Sequence, residues 1–388
     1  MLKTNNTKLI FFCACLGMLL FGISLITLGS VATALRVKFE LDAITAGTLF
    51  SILPIGLLAG SLLFGPFSDR YGYKIILVLS CLFIFAGFQG IAFAASLPLL
   101  KICVFLFGLG GGGINGATNA VVADISIKNK GANLSLLGVF FAVGALGMPS
   151  VLGLLEKKFS FETIVSVIGY IPFAVAVLYL FIQFPSPKQA KGVSFSTGMG
   201  LLKESILITI GFFLFCLSSF EAIINNWTTT YLMQELSVVS SQALFALSLY
   251  VIGMAVMRLL LGSLFRNLSA RSILLTSFLF LLAGCWLLNN PGHYAWAVTG
   301  LVCIGVGLAA GFPIMLGFVG NLYTELSGTA FSIVLTIALI GNMLVNFAMG
   351  IIAEEYGVQH LTTVAFTLLT AMFFLSIIIL NKTKLQHV

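Results

Sequence analysis

Twelve apolar runs, each of roughly the 20 residues that cross a bilayer as a helix, leave this chain almost no freedom of fold class. They lie near 9–34, 44–67, 75–95, 100–126, 133–155 and 162–184, then near 205–233, 241–264, 272–290, 294–322, 328–352 and 361–380. Backbone N–H and C=O groups in hydrocarbon have no water to bond, so each run must satisfy its own backbone as a helix. Composition agrees: 60% of residues are hydrophobic and 8% charged, whereas a soluble domain carries about a quarter charged residues. The expectation is an all-α membrane protein of twelve transmembrane helices. The start, Met1 to Lys8 before an apolar run, has the outline of a secretory signal, and Ala32 to Ala34 offers small residues. The run is too long for a signal, and it reads as span one.

The two sets of six runs are related. At a shift of 197 positions, eight of the 22 glycines in residues 1–191 fall on a glycine: Gly56/Gly253, Gly65/Gly262, Gly87/Gly284, Gly108/Gly305, Gly110/Gly307, Gly131/Gly328, Gly144/Gly341 and Gly153/Gly350. Chance predicts about two, given the 17 glycines in the facing window. Ser51/Ser248, Lys74/Arg271, Ile76/Ile273 and Leu77/Leu274 align as well. Glycine in a membrane helix marks a close approach of two backbones, so a shared glycine pattern implies shared packing. The chain reads as two pseudo-symmetric six-helix bundles, the internal symmetry of a transporter with rocking halves. The long polar interruption, with Pro185, Pro187, Lys188, Lys191 and a Ser/Gly run, divides it into 1–184, a cytoplasmic linker 185–203 and 204–388.

Orientation follows from Lys and Arg, which collect on the cytoplasmic side. With the N-terminus inside, 13 fall inside and five outside (Arg36, Lys38, Lys101, Lys157 and Lys158), and Arg258 lies within a span. The net charge of +7 therefore needs no nucleic-acid partner. The seven cysteines, Cys13, Cys15, Cys81, Cys103, Cys216, Cys285 and Cys303, all sit in apolar runs and read as packing residues rather than disulfides or metal ligands.

Between spans two and three the chain reads Gly65-Pro66-Phe67-Ser68-Asp69-Arg70-Tyr71-Gly72-Tyr73-Lys74, with a degenerate copy from Gly262 through Arg266 to Arg271. This resembles the loop signature of the major facilitator superfamily, and span count, linker and repeat extend the resemblance over the whole chain. Physically the loop reads as a gate latch. Asp69 suits a neighbouring helix N-terminus, where the helix dipole favours an anion. Arg70 and Lys74 are expected to pair with Asp124 at the end of span four, and Arg258, Arg266 and Arg271 with Glu325 at the end of span ten. The alternative is that these charges only fix topology and solubility. Proton-driven drug exporters of the superfamily carry an arginine early in span four and adjacent Gly-Pro in span five. Here those stretches are Val104-Phe105-Leu106-Phe107 and Gly144-Ala145-Leu146-Gly147-Met148-Pro149, which argues against export.

Polar groups at mid-depth in a bilayer are costly and usually face a cavity or a partner helix. Asn115 and Asn119 in span four, Glu221 and Asn225 in span seven, and Asn342 and Asn346 in span eleven are each spaced i, i+4, on one helix face. Trp227, Asn226, Thr228 and Tyr231 flank the second pair, and span three adds Gln89. Glu221 is the deepest carboxylate. Low dielectric disfavours its ionised form, as proton coupling requires; a neutral Glu bonded to a neighbouring helix is the competing explanation. Amides, a carboxylate and an indole suit a sugar, whose hydroxyls both donate and accept and whose apolar face stacks on a ring. Interhelical packing bonds are again the alternative. Tyr250, Trp296 and His293 are weaker candidates.

The segments from Gly108 to Asn119 and from Glu221 through Trp227 to Leu232 are similar to the fucose and glucose/mannose–proton symporter branch. That resemblance implies proton-coupled sugar import. The branch often carries acidic residues in spans one and four, which are absent here at mid-depth, so Glu221 is expected to couple. The expectation is a carrier without enzyme activity, cofactor or metal, acting as a monomer in the cell inner membrane, both termini cytoplasmic. It would move a sugar or sugar derivative with a proton (or sodium) by alternating access; a proton-driven exporter of drugs or metabolites is the alternative. Substrate binding falls to Asn115, Asn119, Glu221, Asn225, Trp227, Asn342 and Gln89, coupling to Glu221, and gating to Asp69, Arg70, Lys74, Asp124, Arg258, Arg266, Arg271 and Glu325.

Overall fold

The computed structural model describes residues 4–40, 43–126, 129–155, 158–186, 200–290 and 292–385. Among these, twelve helices are long and apolar enough to cross a membrane: Thr7–Ser30, Ser51–Tyr71, Tyr73–Phe93, Leu97–Ile125, Lys130–Leu155 and Phe161–Phe181, then Ser205–Glu235, Gln242–Gly262, Ala270–Asn289, Tyr294–Leu322, Thr324–Glu355 and Val358–Lys382. These are spans one to twelve, and each lies within a few residues of an apolar run. Most of the expected linker, 187–199, lies outside the described residues.

Local chemistry sets the boundaries. A single residue, Gly72 at φ 82°, separates spans two and three; a side chain there would be strained in the left-handed region. Spans six and nine open on Ser160 and Ser269, whose hydroxyls accept from Thr163 N and Ser272 N, satisfying one of the amides a helix start leaves unpaired. Span ten is broken: one helix ends at Leu308 and a second begins at Gly311. Pro313 has no N–H to return to the carbonyl four residues back, so the ladder lapses across Ala309–Ala310. The position of Pro313 in the first half is Gly116, and span four there continues unbroken. Beyond span one a short helix, Ala32–Lys38, is pinned by Lys38. Its Nζ donates to Ala92 O at 2.8 Å and pairs with Glu162 at 3.5 Å.

By their contacts the residues group into two compact units. The first comprises Met1–Ile127, Phe140–Gly200 and Gly320–Ile333; the second comprises Lys128–Val139, Leu201–Val319 and Val334–Val388. The starts of spans five and eleven thus belong to the unit built mainly from the opposite half.

Within each unit the packing repeats. In the first, span four packs on spans two, three and one, and span three on span six; in the second, span ten packs on spans eight, nine and seven, and span nine on span twelve. The repeated glycines show why. A Cβ on Gly108 would strike the carbonyl of Leu53, and one on Gly305 the carbonyl of Tyr250; those two partners are themselves 197 residues apart. Gly110 meets Ser80 where Gly307 meets Ser277, and Gly56 meets Phe105 where Gly253 meets Val302. Gly65 lies against Gly328 and Thr329, and Gly262 against Ala132. The sequence duplication is therefore a duplication of helix contacts.

Candidate functional site

The end of span two is the most densely bonded polar site. Asp69, 2% exposed, accepts from Gly328 N at 3.2 Å, Thr329 N at 2.8 Å and Thr329 Oγ1 at 2.7 Å. Gly328 and Thr329 stand in the first turn of the helix Ser327–Glu355, whose leading amides have no partner within the helix. A carboxylate there satisfies two of them and meets the positive end of the dipole. Nearby, Ser332 Oγ donates to Leu62 O at 2.9 Å, so the contact continues a turn along both helices.

Asp124 is held differently from the sequence expectation. Its oxygens accept from Tyr73 Oη and from Ser327 Oγ, the latter at 2.9 Å. Among the described residues, Arg70 and Lys74 form no ion pair with it, and the Arg70 guanidinium stacks on Tyr71 at 5.1 Å instead. Two hydroxyls thus reach this half-buried carboxylate. Arg266, Arg271 and Glu325 are all exposed, and among the described residues Glu325 makes no ion pair.

Two further expectations change at mid-depth. Gln89 Nε2 donates to Ser166 O at 3.1 Å, and Ser166 Oγ donates to Gln89 Oε1 at 2.9 Å. Both ends of the Gln89 amide are thus taken by span six, as the packing alternative expects. Trp227 Nε1 donates to Asn346 Oδ1 at 3.0 Å, and Asn226 Nδ2 to the same oxygen at 3.1 Å. The indole is anchored to span eleven, with Asn346 its clamp. Its partner in sequence, Asn342, is half-buried and makes no hydrogen bond among the described residues. In span four, Asn119 Nδ2 donates to Asn115 O at 2.8 Å and to Asn115 Oδ1 at 3.0 Å, which consumes the Asn119 amide nitrogen and leaves that of Asn115.

Glu221 and Asn225 face span eight. Among the described residues Glu221 makes no hydrogen bond, and the charge it feels is Arg258. Asn225 lies beside Tyr250, which also senses both Glu221 and Arg258. The order is that of antiparallel neighbours: Glu221 near Arg258, and Asn225, one turn along span seven, beside Tyr250, two turns back along span eight. Arg258 is 7% exposed and its Nε has no partner; Tyr250 is fully buried, with its hydroxyl beside the Asn225 amide. Arg258, which the gating expectation grouped with Arg266 and Arg271, is a buried cation within electrostatic reach of Glu221. It is the buried counter-charge of Glu221, and the signal was its depth inside an apolar run.

The family model of the Major Facilitator Superfamily matches residues 10–231 and 208–384. The chain belongs to the Major Facilitator Superfamily. Within it, the chain is 25% identical over 347 residues to the uncharacterized transporter y4wD of Sinorhizobium fredii, covering 87% of this chain and 89% of that one. Over 161 residues it is 27% identical to the 4-hydroxybenzoate transporter PcaK of Pseudomonas putida, 41% of this chain and 36% of that one. Its fold is similar to that of the E. coli fucose:proton symporter FucP, with a TM-score of 0.80 at 16% identity, covering 95% of this chain and 98% of that one. As a superfamily member with twelve apolar helices among its described residues, the chain is a multi-pass membrane transporter.

Proposed function

We propose that this transporter is a secondary active carrier that moves a small polar solute, a sugar or sugar derivative, together with a proton. One observation carries the coupling: Glu221, deep in span seven, has no hydrogen bond among the described residues and stands beside a buried cation. A group with no fixed protein partner can take up and release a proton without breaking the bundle. The alternating motion is assigned to the halves 1–184 and 204–388, with the Asp69 contact as a latch released in each cycle. The excess of Lys and Arg in the loops supports a cytoplasmic position for both termini.

Relatives pull the solute class in two directions, since FucP is a fucose:proton symporter and PcaK a 4-hydroxybenzoate transporter. The amides of Asn225 and Asn342 suit hydroxyls, which a sugar supplies. The buried cation favours a solute that also carries negative charge.

The test is transport in proteoliposomes. Glu221→Gln is expected to abolish solute accumulation driven by a proton gradient while leaving solute exchange largely intact. Unchanged accumulation in that variant removes Glu221 from the mechanism. Outward movement of a dye abolished by an uncoupler, with no sugar uptake, replaces the reading with export.

A further inference from the structure

Arg258 poses a charge problem that proton coupling alone does not solve. Its guanidinium is buried, its Nε has no partner, and it packs over Gly138 of span five, where a Cβ would meet Arg258 Cδ at 3.0 Å and Nη1 at 3.2 Å. Of the groups on the helices packed against span seven, Arg258 is the charge facing Glu221, and the Tyr250 hydroxyl lies with them. Glu221 lies within electrostatic reach of Arg258 without forming an ion-pair contact, and their net charge is zero only while Glu221 is ionised. Once Glu221 takes a proton, the arginine is left as an uncompensated cation inside the bilayer, a costly state.

We propose that Arg258, with the Tyr250 hydroxyl and the Asn225 amide, binds a carboxylate on the transported solute, which replaces Glu221 as the counter-charge of the arginine. The inference rests on the carrier reading above and narrows its solute class to organic acids, acidic sugar derivatives included. A planar carboxylate offers two acceptor oxygens, which match the guanidinium fork. The buried phenol of Tyr250, two turns from Arg258 on span eight and beside the Asn225 amide, supplies with that amide further donors. A neutral hydroxyl ring would fill the same hydrogen bonds and leave the positive charge uncompensated.

Coupling follows from the exchange of anions. As the solute carboxylate pairs with Arg258, Glu221 loses its counter-charge and takes one proton from the loading side. When the solute leaves, the proton leaves Glu221 to the opposite side and the Glu221–Arg258 attraction returns. One proton and one monocarboxylate cross together, so the net charge moved is zero.

The full-length purified protein tests this with benzoate against benzamide and glucuronate against glucose, by thermal shift and by proton uptake in weakly buffered solution. At least one acid is expected to raise the melting temperature where its neutral counterpart does not, with one proton taken up per acid bound. Arg258→Gln should weaken that acid at least tenfold and Arg258→Lys less. Glu221→Gln should bind it with the proton uptake lost, a readout that a merely structural role for Arg258 would not move. Equal binding of an acid and its neutral counterpart, undiminished acid affinity in Arg258→Gln, binding without proton uptake in the wild type, or no response to either acid overturns the proposal. Proton-driven glucose accumulation in the same protein would then leave the carrier reading standing, whereas absence of any solute exchange would remove both.

Discussion

Asp69→Asn isolates the charge at the start of the span-eleven helix with almost no change of shape. In the wild type one oxygen accepts from Gly328 N and the other from Thr329 N and Thr329 Oγ1. Asparagine keeps one carbonyl oxygen, so it retains one side of this arrangement and turns an NH2 toward donors on the other. A hydrogen bond to a charged group is worth about 1.5–3 kcal/mol, and an anion at a helix N-terminus about 0.3–1 kcal/mol more. The loss is therefore about 2–4 kcal/mol, or roughly 30- to 900-fold in the equilibrium between the bonded and released states. Hydrogen exchange reads this directly, because the amides of Gly328 and Thr329 lie in the first helical turn, where no intrahelical carbonyl protects them. Their protection should come from Asp69, and the variant should speed exchange of the peptide spanning residues 327–330 by that factor. Protection unchanged in Asp69→Asn refutes the argument, since something other than the carboxylate would be holding those amides.

Other consequences follow from single contacts. Gly108→Ala and Gly305→Ala each place a Cβ on a facing backbone carbonyl; each should cost about 1–3 kcal/mol and lower the melting temperature in size-exclusion thermostability assays. Gly29→Ala meets nothing within 4 Å and should be neutral, so equal losses at all three positions would contradict the duplicated packing. Gln89→Leu should destabilise by about 0.6–2 kcal/mol, the range for interhelical bonds in membranes, while the KM for a transported solute stays unchanged; a KM shift would return Gln89 to the site. Trp227→Phe keeps the ring but removes the donor to Asn346, and should leave solute affinity within about threefold if the indole only anchors span seven, against a loss of about 1–3 kcal/mol if its N–H holds solute.

Much of the architecture was legible because its causes are local. Whether a stretch crosses a bilayer depends on its own hydropathy, and the spans fall within a few residues of the apolar runs. The repeat was legible because close backbone approach admits only glycine, so Gly108 and Gly305 record a contact with Leu53 and Tyr250 in their own identity. The partners were harder to read. Helices that are apolar all round carry no stripe to say which face turns inward, so Arg258 could be placed by depth but not by neighbour. Hydroxyl partners such as Tyr73 for Asp124 and Ser166 for Gln89 are small or amphipathic side chains that fit many settings. Their choice depends on which spans meet, and two residues 77 positions apart carry no mark of each other.

The central claim, that solute and proton move together through this chain, is tested most directly by the pH inside lightly buffered liposomes containing the purified protein and a trapped pH dye. Adding a transported solute outside, with no imposed proton gradient, should acidify the lumen in step with solute entry, and Glu221→Gln, in liposomes preloaded with the same solute, should exchange labelled solute with no acidification. Solute entry into wild-type liposomes at constant internal pH would contradict the account.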